Sequence, residues 1–388
     1  MNSFDVGRVP PITFGVGCVS EVPGIVTALG GDTVLVVADA ALQELGVVTR
    51  LAEALNSAGL RCELAPEIVG EPKETLIDKL SARARASDVN LVIGIGGGAA
   101  MDAAKLIAAI APSGTSAETY ALGAVPLPSV GLPAMAIPTT AGTGSEVTRT
   151  SIVSTESGAK NWYWGEELMF AHAVLDPGLT VSLPPHLTAW TGMDAVAHAL
   201  EAVTSRKSNS AGRLYGLEAL RVLAVALPRA VANGDDLNAR ARVLWGSTVA
   251  GLALHNCSTH MGHNISHALG SLSRVHHGLA TGLALKVTLP WLVARDEGAE
   301  HYALAAEALG GSRVAADLPR AFETLLLSCE ISMSLPVACA GVTPKALSSS
   351  MKTPANRPMA QNAACPISDG DLDQIAEMIL ALPLEKAA

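Results

Sequence analysis

The residues best suited to chemistry are histidines. Six of the ten fall in one short stretch: His255, His260, His263, His267, His276 and His277. His263 and His267 are four apart, the spacing that puts two side chains on one helical face, and Asp194 and His198 repeat it earlier in the chain. One histidine on an apolar face is usually a hydrogen-bonded core residue, and a lone Asp-x-x-x-His pair is a weak signal. A group is more specific. Three imidazoles and one carboxylate suit a borderline divalent ion such as Fe(II), Zn(II) or Co(II), not the oxygen shell of Mg(II) or Ca(II). Residue type does not separate iron from zinc. An ion so held can act as a Lewis acid on a substrate oxygen.

A second constellation suits a nucleotide. The apolar run Val89 to Ile95 leads into Gly96-Gly97-Gly98-Ala99 and then a helical pattern through Asp102 and Lys105. Glycines let the backbone approach a diphosphate, and the free N–H groups of a helix start favour an anion. Alone, this turn serves equally well as a tight strand-to-helix connection, because it is not GxGxxG. Two neighbours tilt the balance. Asp39 follows the strand Thr33 to Ala38 and can accept hydrogen bonds from a ribose diol. It would repel the extra phosphate of NADP, so NAD is favoured. The stretch Pro138 to Glu146, with Thr139, Thr140 and Thr143, has one charge and no Lys or Arg, and suits wrapping a polar ligand.

These groups need a scaffold, and the pattern predicts one of two kinds. Through the first 180 residues, strand-like runs (Thr33–Ala38, Arg61–Leu64, Val89–Ile95, Ala134–Ile137) alternate with helical stretches through Val47, Leu51 and Leu55 and over Pro72–Ala86. That alternation predicts a Rossmann-like, mostly parallel sheet covered by helices. After Pro184-Pro185 the periodicity is helical, over Leu187–Thr204, Ala211–Ala232 and Leu237–Leu254. The expectation is an α/β domain over 1–180 and an all-helical domain over 181–388, with a site in the cleft between them. The 388 residues suffice for two cores, and 49% hydrophobic with 16% charged composition predicts a compact fold. A formal charge of −10 without clustered Lys and Arg argues against a nucleic-acid partner. Met1 to Pro11 has no signal-peptide pattern, and no run of about twenty apolar residues predicts a membrane span. Cys18, Cys62, Cys257, Cys329, Cys339 and Cys365 are scattered without a CxxC pair, which fits reduced thiols in the cytoplasm.

Taken in order, the motifs resemble the iron-containing (group III) alcohol dehydrogenase family. The likeness spans nearly everything from Phe4 onward. It rests on Gly96 to Gly98 with Asp102 and Lys105, on Pro138 to Glu146, on Gly192-Met193-Asp194 with His198-Ala199-Leu200-Glu201, and on His263, His267 and His277-Gly278. The resemblance implies a dehydroquinate synthase-like architecture: an NAD-binding α/β domain and a helical metal-binding domain, commonly as a homodimer. It makes Asp194, His198, His263 and His277 the ligands of a metal, Fe(II) before Zn(II). It places His267 near the nicotinamide as a proton carrier. Gly97, Gly98, Thr139, Thr140, Thr143 and Lys160 match positions that line the cofactor. The implied reaction is NAD(H)-linked interconversion of a small alcohol and aldehyde.

Several residues depart from the family pattern. Ala99 replaces the Ser usual after the glycines, and the segment from Leu254 to His260 is more polar than the Phe- and Gly-containing stretch common in the family. Asn161-Trp162-Tyr163-Trp164 concentrates aromatics in a chain with few of them. Leu254 and Trp164 are therefore candidate substrate contacts, with aromatic cover of a surface as the equal alternative for the Trp segment. Arg149 offers a forked donor for a carboxylate, phosphonate or phosphate, so an anionic aldehyde is the expected refinement, set against an ordinary salt bridge. Rival functions are a metal-free maleylacetate reductase type, which the complete Asp194, His198, His263 and His277 set argues against, a dehydroquinate synthase-like lyase, and a binding protein without turnover.

Overall fold

A computed structural model describes residues 3–385; Met1 and Asn2 of the N-terminal segment lie outside the described residues. The chain divides into two compact units, one α/β and one helical.

The α/β unit comprises Arg8–Thr140 and Ser145–Val181. Its sheet has six parallel strands: β1 (Ile12–Phe14), β2 (Thr33–Asp39), β3 (Arg61–Ile68), β4 (Leu91–Gly96), β5 (Ala134–Pro138) and β8 (His172–Leu175), in the spatial order β1-β8-β5-β4-β2-β3. The central strands β4 and β5 are buried throughout, as continuous apolar runs in a parallel sheet should be. Helices α1 (Val22–Ala28), α2 (Ala40–Glu44), α3 (Val47–Ser57), α4 (Glu74–Ala86) and α5 (Gly98–Ile110) connect the early strands. From β2 the chain steps outward to β3 and then crosses back to β4 on the other side of β2. This reversal opens a crevice at the carboxyl ends of β2 and β4, the place where such sheets bind ligands. One addition has no counterpart among the predicted strands. Residues Thr150–Ser154 (β6) and Lys160–Trp164 (β7) form a separate antiparallel hairpin, which takes up the aromatic segment.

The helical unit contains the segment through Gly7, the four residues Ala141–Gly144, and the chain from Ser182 onward. Its long helices are α6 (Pro185–Thr204), α7 (Ser210–Ala232), α8 (Leu237–Cys257), α9 (Met261–Leu272) and α10 (His277–Val293), with five shorter ones between Ala299 and Leu380. Every residue of α6 from Gly192 to Thr204 is buried, so this helix is the unit's central rod and any polar group on it needs a partner. No helix of the described residues is long and apolar enough to cross a membrane.

Candidate functional site

The helical unit brings the expected metal-ligating residues together from three helices. Asp194 and His198 lie one turn apart on α6, His263 on the first turn of α9, and His277 opens α10. Glycines permit the approach. A Cβ on Gly278 would overlap the Trp190 carbonyl, so the start of α10 can lie directly on α6 and set His277 against Asp194. A Cβ on Gly262 would stand 2.8 Å from Leu285 Cγ and 3.0 Å from Glu201 Oε1.

The ligand atoms of Asp194, His263 and His277 all lie within 4.8 Å of one another. Asp194 Oδ1 is 3.5 Å from His263 Nε2 and 3.5 Å from His277 Nε2. Tetrahedral bonds of about 2.1 Å imply ligand–ligand edges of about 3.4 Å, so these separations suit a small dication. Asp194 Oδ1 and His263 Nε2 are buried and make no hydrogen bond, a costly arrangement unless a cation sits between such atoms. The His198 ring stacks on His263 with centroids 4.5 Å apart, and its Nδ1 faces the Gly142 carbonyl at 3.3 Å. With a proton on Nδ1, His198 keeps its lone pair on Nε2. The donor set fits a borderline divalent metal.

The electrostatics agree. Burial resists charge on Asp194, yet His198, His277 and His263 hold its carboxyl far below the usual range. His198 is lowered, chiefly by burial, with Asp194 opposing. Burial works against His263 too, but Glu201 and Asp194 raise it to about 9. An imidazole flanked by two carboxylates attracts a cation, whether a proton or a metal. His267, a turn beyond His263, is half-buried, and its ring meets that of His277 edge-on at 5.2 Å.

In the α/β unit a second group gathers at the crevice. Asp39 ends β2 and its Oδ2 accepts the Gly97 N–H at 2.7 Å. Burial raises the Asp39 carboxyl and the Gly97 bond opposes the shift. Gly96 has φ +149°, and a Cβ there would overlap Asp39 Oδ2 and come within 2.8 Å of Ala100 Cβ. The Gly96 carbonyl accepts the Thr139 N–H at 2.9 Å, joining the end of β5 to the turn. Helix α5 starts after Gly97 without a side-chain cap, leaving an anion-favouring N-terminus. Thus Asp39, Gly96, Gly97, Gly98, Thr139 and Thr140 converge. Thr143 belongs to the segment Ala141–Gly144, which groups with the helical unit.

Other candidates are otherwise engaged. Lys160 is ion-paired with Glu71. Arg149 is ion-paired with Glu166 and lies over the Trp164 ring, 4.3 Å from its centroid. The ordinary salt bridge is therefore the arrangement found for Arg149, and its charge is already matched. Trp164 is 56% exposed, whereas Tyr163 is fully buried with its hydroxyl donating to Glu74 at 2.7 Å. The polar stretch after Leu254 serves the main chain. Asn256 accepts the Gly7 N–H, Ser258 adopts φ +67°, and Asn362 donates to the Cys257 and Thr259 carbonyls around it. Leu254 itself is half-buried on α8.

Glu201, Asp102 and Lys105 belong to the sequence motifs, and the structure shows what each one touches. Glu201 is fully buried and bonds His263 Nδ1 at 2.6 Å. Its seven-residue spacing from Asp194, two turns along the same face, was the signal available. Lys105 donates to the Thr148 carbonyl and hydroxyl and to the Thr150 carbonyl, and Asp102 accepts from Ser145 Oγ and the Ile152 N–H. Together they fasten residues 145–152 to the helix that follows the glycine turn.

Comparison with known proteins agrees with this geometry. Residues 10–177 match the model of iron-containing alcohol dehydrogenase, and residues 188–375 that of the Fe-containing alcohol dehydrogenase family, C-terminal. The chain is 36% identical over 306 residues to long-chain-alcohol dehydrogenase 1 of Geobacillus thermodenitrificans, covering 78% of this chain and 77% of that protein. It is 32% identical over 340 residues to sulfoacetaldehyde reductase of Bilophila wadsworthia, covering 84% and 86%. The structure of sulfoacetaldehyde reductase from Bifidobacterium kashiwanohense in complex with NAD+ superposes with a TM-score of 0.87 at 28% identity, over 98% of this chain and 100% of that one. The chain belongs to the iron-containing alcohol dehydrogenase family and is an NAD-linked oxidoreductase of alcohols and aldehydes.

Proposed function

We propose that the protein is an Fe(II)-dependent, NAD(H)-linked alcohol dehydrogenase and aldehyde reductase, with its metal held by Asp194, His198, His263 and His277. The carrying observation is the pair of 3.5 Å separations from Asp194 Oδ1 to His263 Nε2 and His277 Nε2, with Asp194 Oδ1 and His263 Nε2 buried and making no hydrogen bond. When bound, the ion supplies Lewis-acid stabilisation of charge on the substrate oxygen, worth several kcal/mol. Iron is preferred to zinc on the family likeness.

Asp194 supplies the negative charge that gathers the imidazoles. His267, half-buried beside His277, passes the hydroxyl proton toward solvent. Asp39 holds the glycine turn through Oδ2, and we assign its other oxygen to the ribose diol of NAD. The N-terminus of α5 after Gly97 and Gly98 takes the diphosphate, with Thr139, Thr140, Thr143 and Lys160 as further cofactor contacts. The α/β unit is thus the nucleotide-binding domain and the helical unit the metal-binding one. Cytoplasmic location is supported by six free thiols, and a homodimer by the edge position of β1, beside exposed Val16.

The proposed substrate is a small neutral alcohol or aldehyde, since Arg149 already faces Glu166. An acidic aldehyde is the second reading, favoured by the two sulfoacetaldehyde reductases among the relatives. The test is NADH oxidation with neutral and acidic aldehydes on protein reconstituted anaerobically with Fe(II) or Zn(II), with Arg149→Ala alongside. Greater activity with Fe(II) on neutral aldehydes supports the proposal. Preference for acidic aldehydes, lost in Arg149→Ala, would replace it with the second reading.

A further inference from the structure

We infer that Glu201 is the positioning residue for the metal: it holds His263 in the one tautomer and orientation that turns Nε2 toward Asp194 and His277. The inference rests on the metal reading above and adds a residue outside that ligand set.

Glu201 is fully buried on α6, where an uncompensated carboxylate is strongly disfavoured. Its oxygens are fixed by main chain. The His260 N–H donates to Oε2 at 2.9 Å and the Gly262 N–H to Oε1 at 2.5 Å. An amide N–H can only donate, so both oxygens act as acceptors there. Oε2 also stands 2.6 Å from His263 Nδ1. With that oxygen accepting, the proton of the bond belongs to Nδ1, and the imidazole presents its lone pair at Nε2. Nε2 is the atom that makes no hydrogen bond and lies 3.5 Å from Asp194 Oδ1. Two carboxylates two turns apart on one helix therefore face opposite nitrogens of the same ring, Glu201 by a hydrogen bond and Asp194 across the site a cation would fill. A charged acceptor behind a ligating imidazole also strengthens it as a donor to metal.

The remaining neighbour closes the arrangement. His260, fully buried, places Nδ1 3.3 Å from Glu201 Oε1, and its Nε2 is bonded to Thr204 Oγ1 at 2.9 Å. The backbone of residues 260–262 holds the carboxylate, and the carboxylate holds His263, so the turn before α9 is tied to the ligand it carries. A glutamine in place of Glu201 cannot reproduce this. Its single acceptor oxygen leaves the NH2 group facing either a backbone N–H or His263 Nδ1, and the second choice favours the tautomer with its proton on Nε2.

The test compares wild type, Glu201→Gln and Thr288→Val, each stripped of metal and titrated with Co(II) against a competing chelator, with the visible Co(II) absorption and apoprotein Tm recorded. Thr288→Val removes a buried hydroxyl that bonds the Ala284 carbonyl of α10, outside the Glu201 arrangement. Glu201→Gln is expected to weaken Co(II) affinity by about 10- to 100-fold and to shift the absorption of the remaining complex. Thr288→Val is expected to leave affinity and spectrum unchanged. If Glu201→Gln does not fold, the wild-type protein decides by NMR of isotope-labelled histidine with Zn(II) bound: the His263 Nδ1 proton must show the far-downfield shift of a proton bonded to a carboxylate. Wild-type Co(II) affinity and spectrum in Glu201→Gln, equal weakening in Thr288→Val, or a His263 Nδ1 proton shift like that of a solvent-bonded imidazole overturns the inference while the metal reading stands. A wild-type protein that binds neither Co(II) nor Zn(II) overturns both.

Discussion

The α/β unit makes its candidate site from main chain, whereas the helical unit makes its own from side chains. At the crevice, the parts are the Gly96–Gly98 turn, the bare start of α5 and one carboxylate bonded to a backbone N–H. Around Asp194, the parts are buried imidazoles and carboxylates whose polar atoms face each other. A site of backbone groups is specified by conformation more than by side-chain identity. A site of buried polar side chains is specified by identity, and each member must be satisfied by another or by an ion.

Asp194→Asn should break the helical site most severely. Metal content should fall to background, and kcat/KM by about a thousandfold, the equivalent of about 4 kcal/mol of lost charge stabilisation. NADH affinity should be unchanged. Elemental analysis and fluorescence titration of the same preparation check both halves. Gly96→Ala is the mirror experiment. The new methyl overlaps Asp39 in a backbone conformation that costs about 1–3 kcal/mol for other residues, so NADH binding should weaken by about 10- to 100-fold while metal content holds.

Asp39→Ala should change selectivity more than stability. It removes the proposed ribose acceptor and the repulsion against a 2′-phosphate, so the NADH/NADPH ratio of kcat/KM should fall by about tenfold or more. An unaltered ratio would remove Asp39 from cofactor choice. A smaller effect sharpens the contrast from within the α/β unit, which buries the Lys105 side chain. Burial lowers Lys105 to about 8 from its ordinary 10.5, with Asp102 and Glu146 opposing. Between those values the unfolded chain binds a proton that the folded chain does not, so stability contributed at this site rises with pH. Denaturant unfolding at pH 8 and pH 10 should show wild type gaining stability relative to Lys105→Met. The smallest effect is expected for Ala99→Ser: NADH affinity close to wild type, because the N–H groups at the helix start are already present.

Sequence periodicity was enough for the sheet core and the long helices, because continuous apolar runs such as Leu91–Ile95 and long helical patterns such as Leu187–Thr204 have few alternative uses. Asp194, His198, His263, His267 and His277 were visible for a related reason: polar residues at helical spacing inside apolar sequence demand partners. The β6–β7 hairpin was not visible, since Asn161-Trp162-Tyr163-Trp164 reads equally as a loop, a pocket wall or a strand until its partner is known. Arg149 shows the same limit. Its partner Glu166 lies seventeen residues away, and nothing local distinguishes a salt bridge from an anion grip. Glu201 was legible as a letter of the motif but not as a role, because its meaning comes from the turn at His260–Gly262, sixty residues on.

The most direct test separates the two sites in one sample. Protein stripped with a chelator and the same protein reloaded anaerobically with Fe(II) are compared for NADH binding by fluorescence and for NADH oxidation with an aldehyde. The account predicts similar NADH affinity in both, with turnover confined to the reloaded protein. Equal turnover in the stripped protein would contradict it and favour a metal-free reductase.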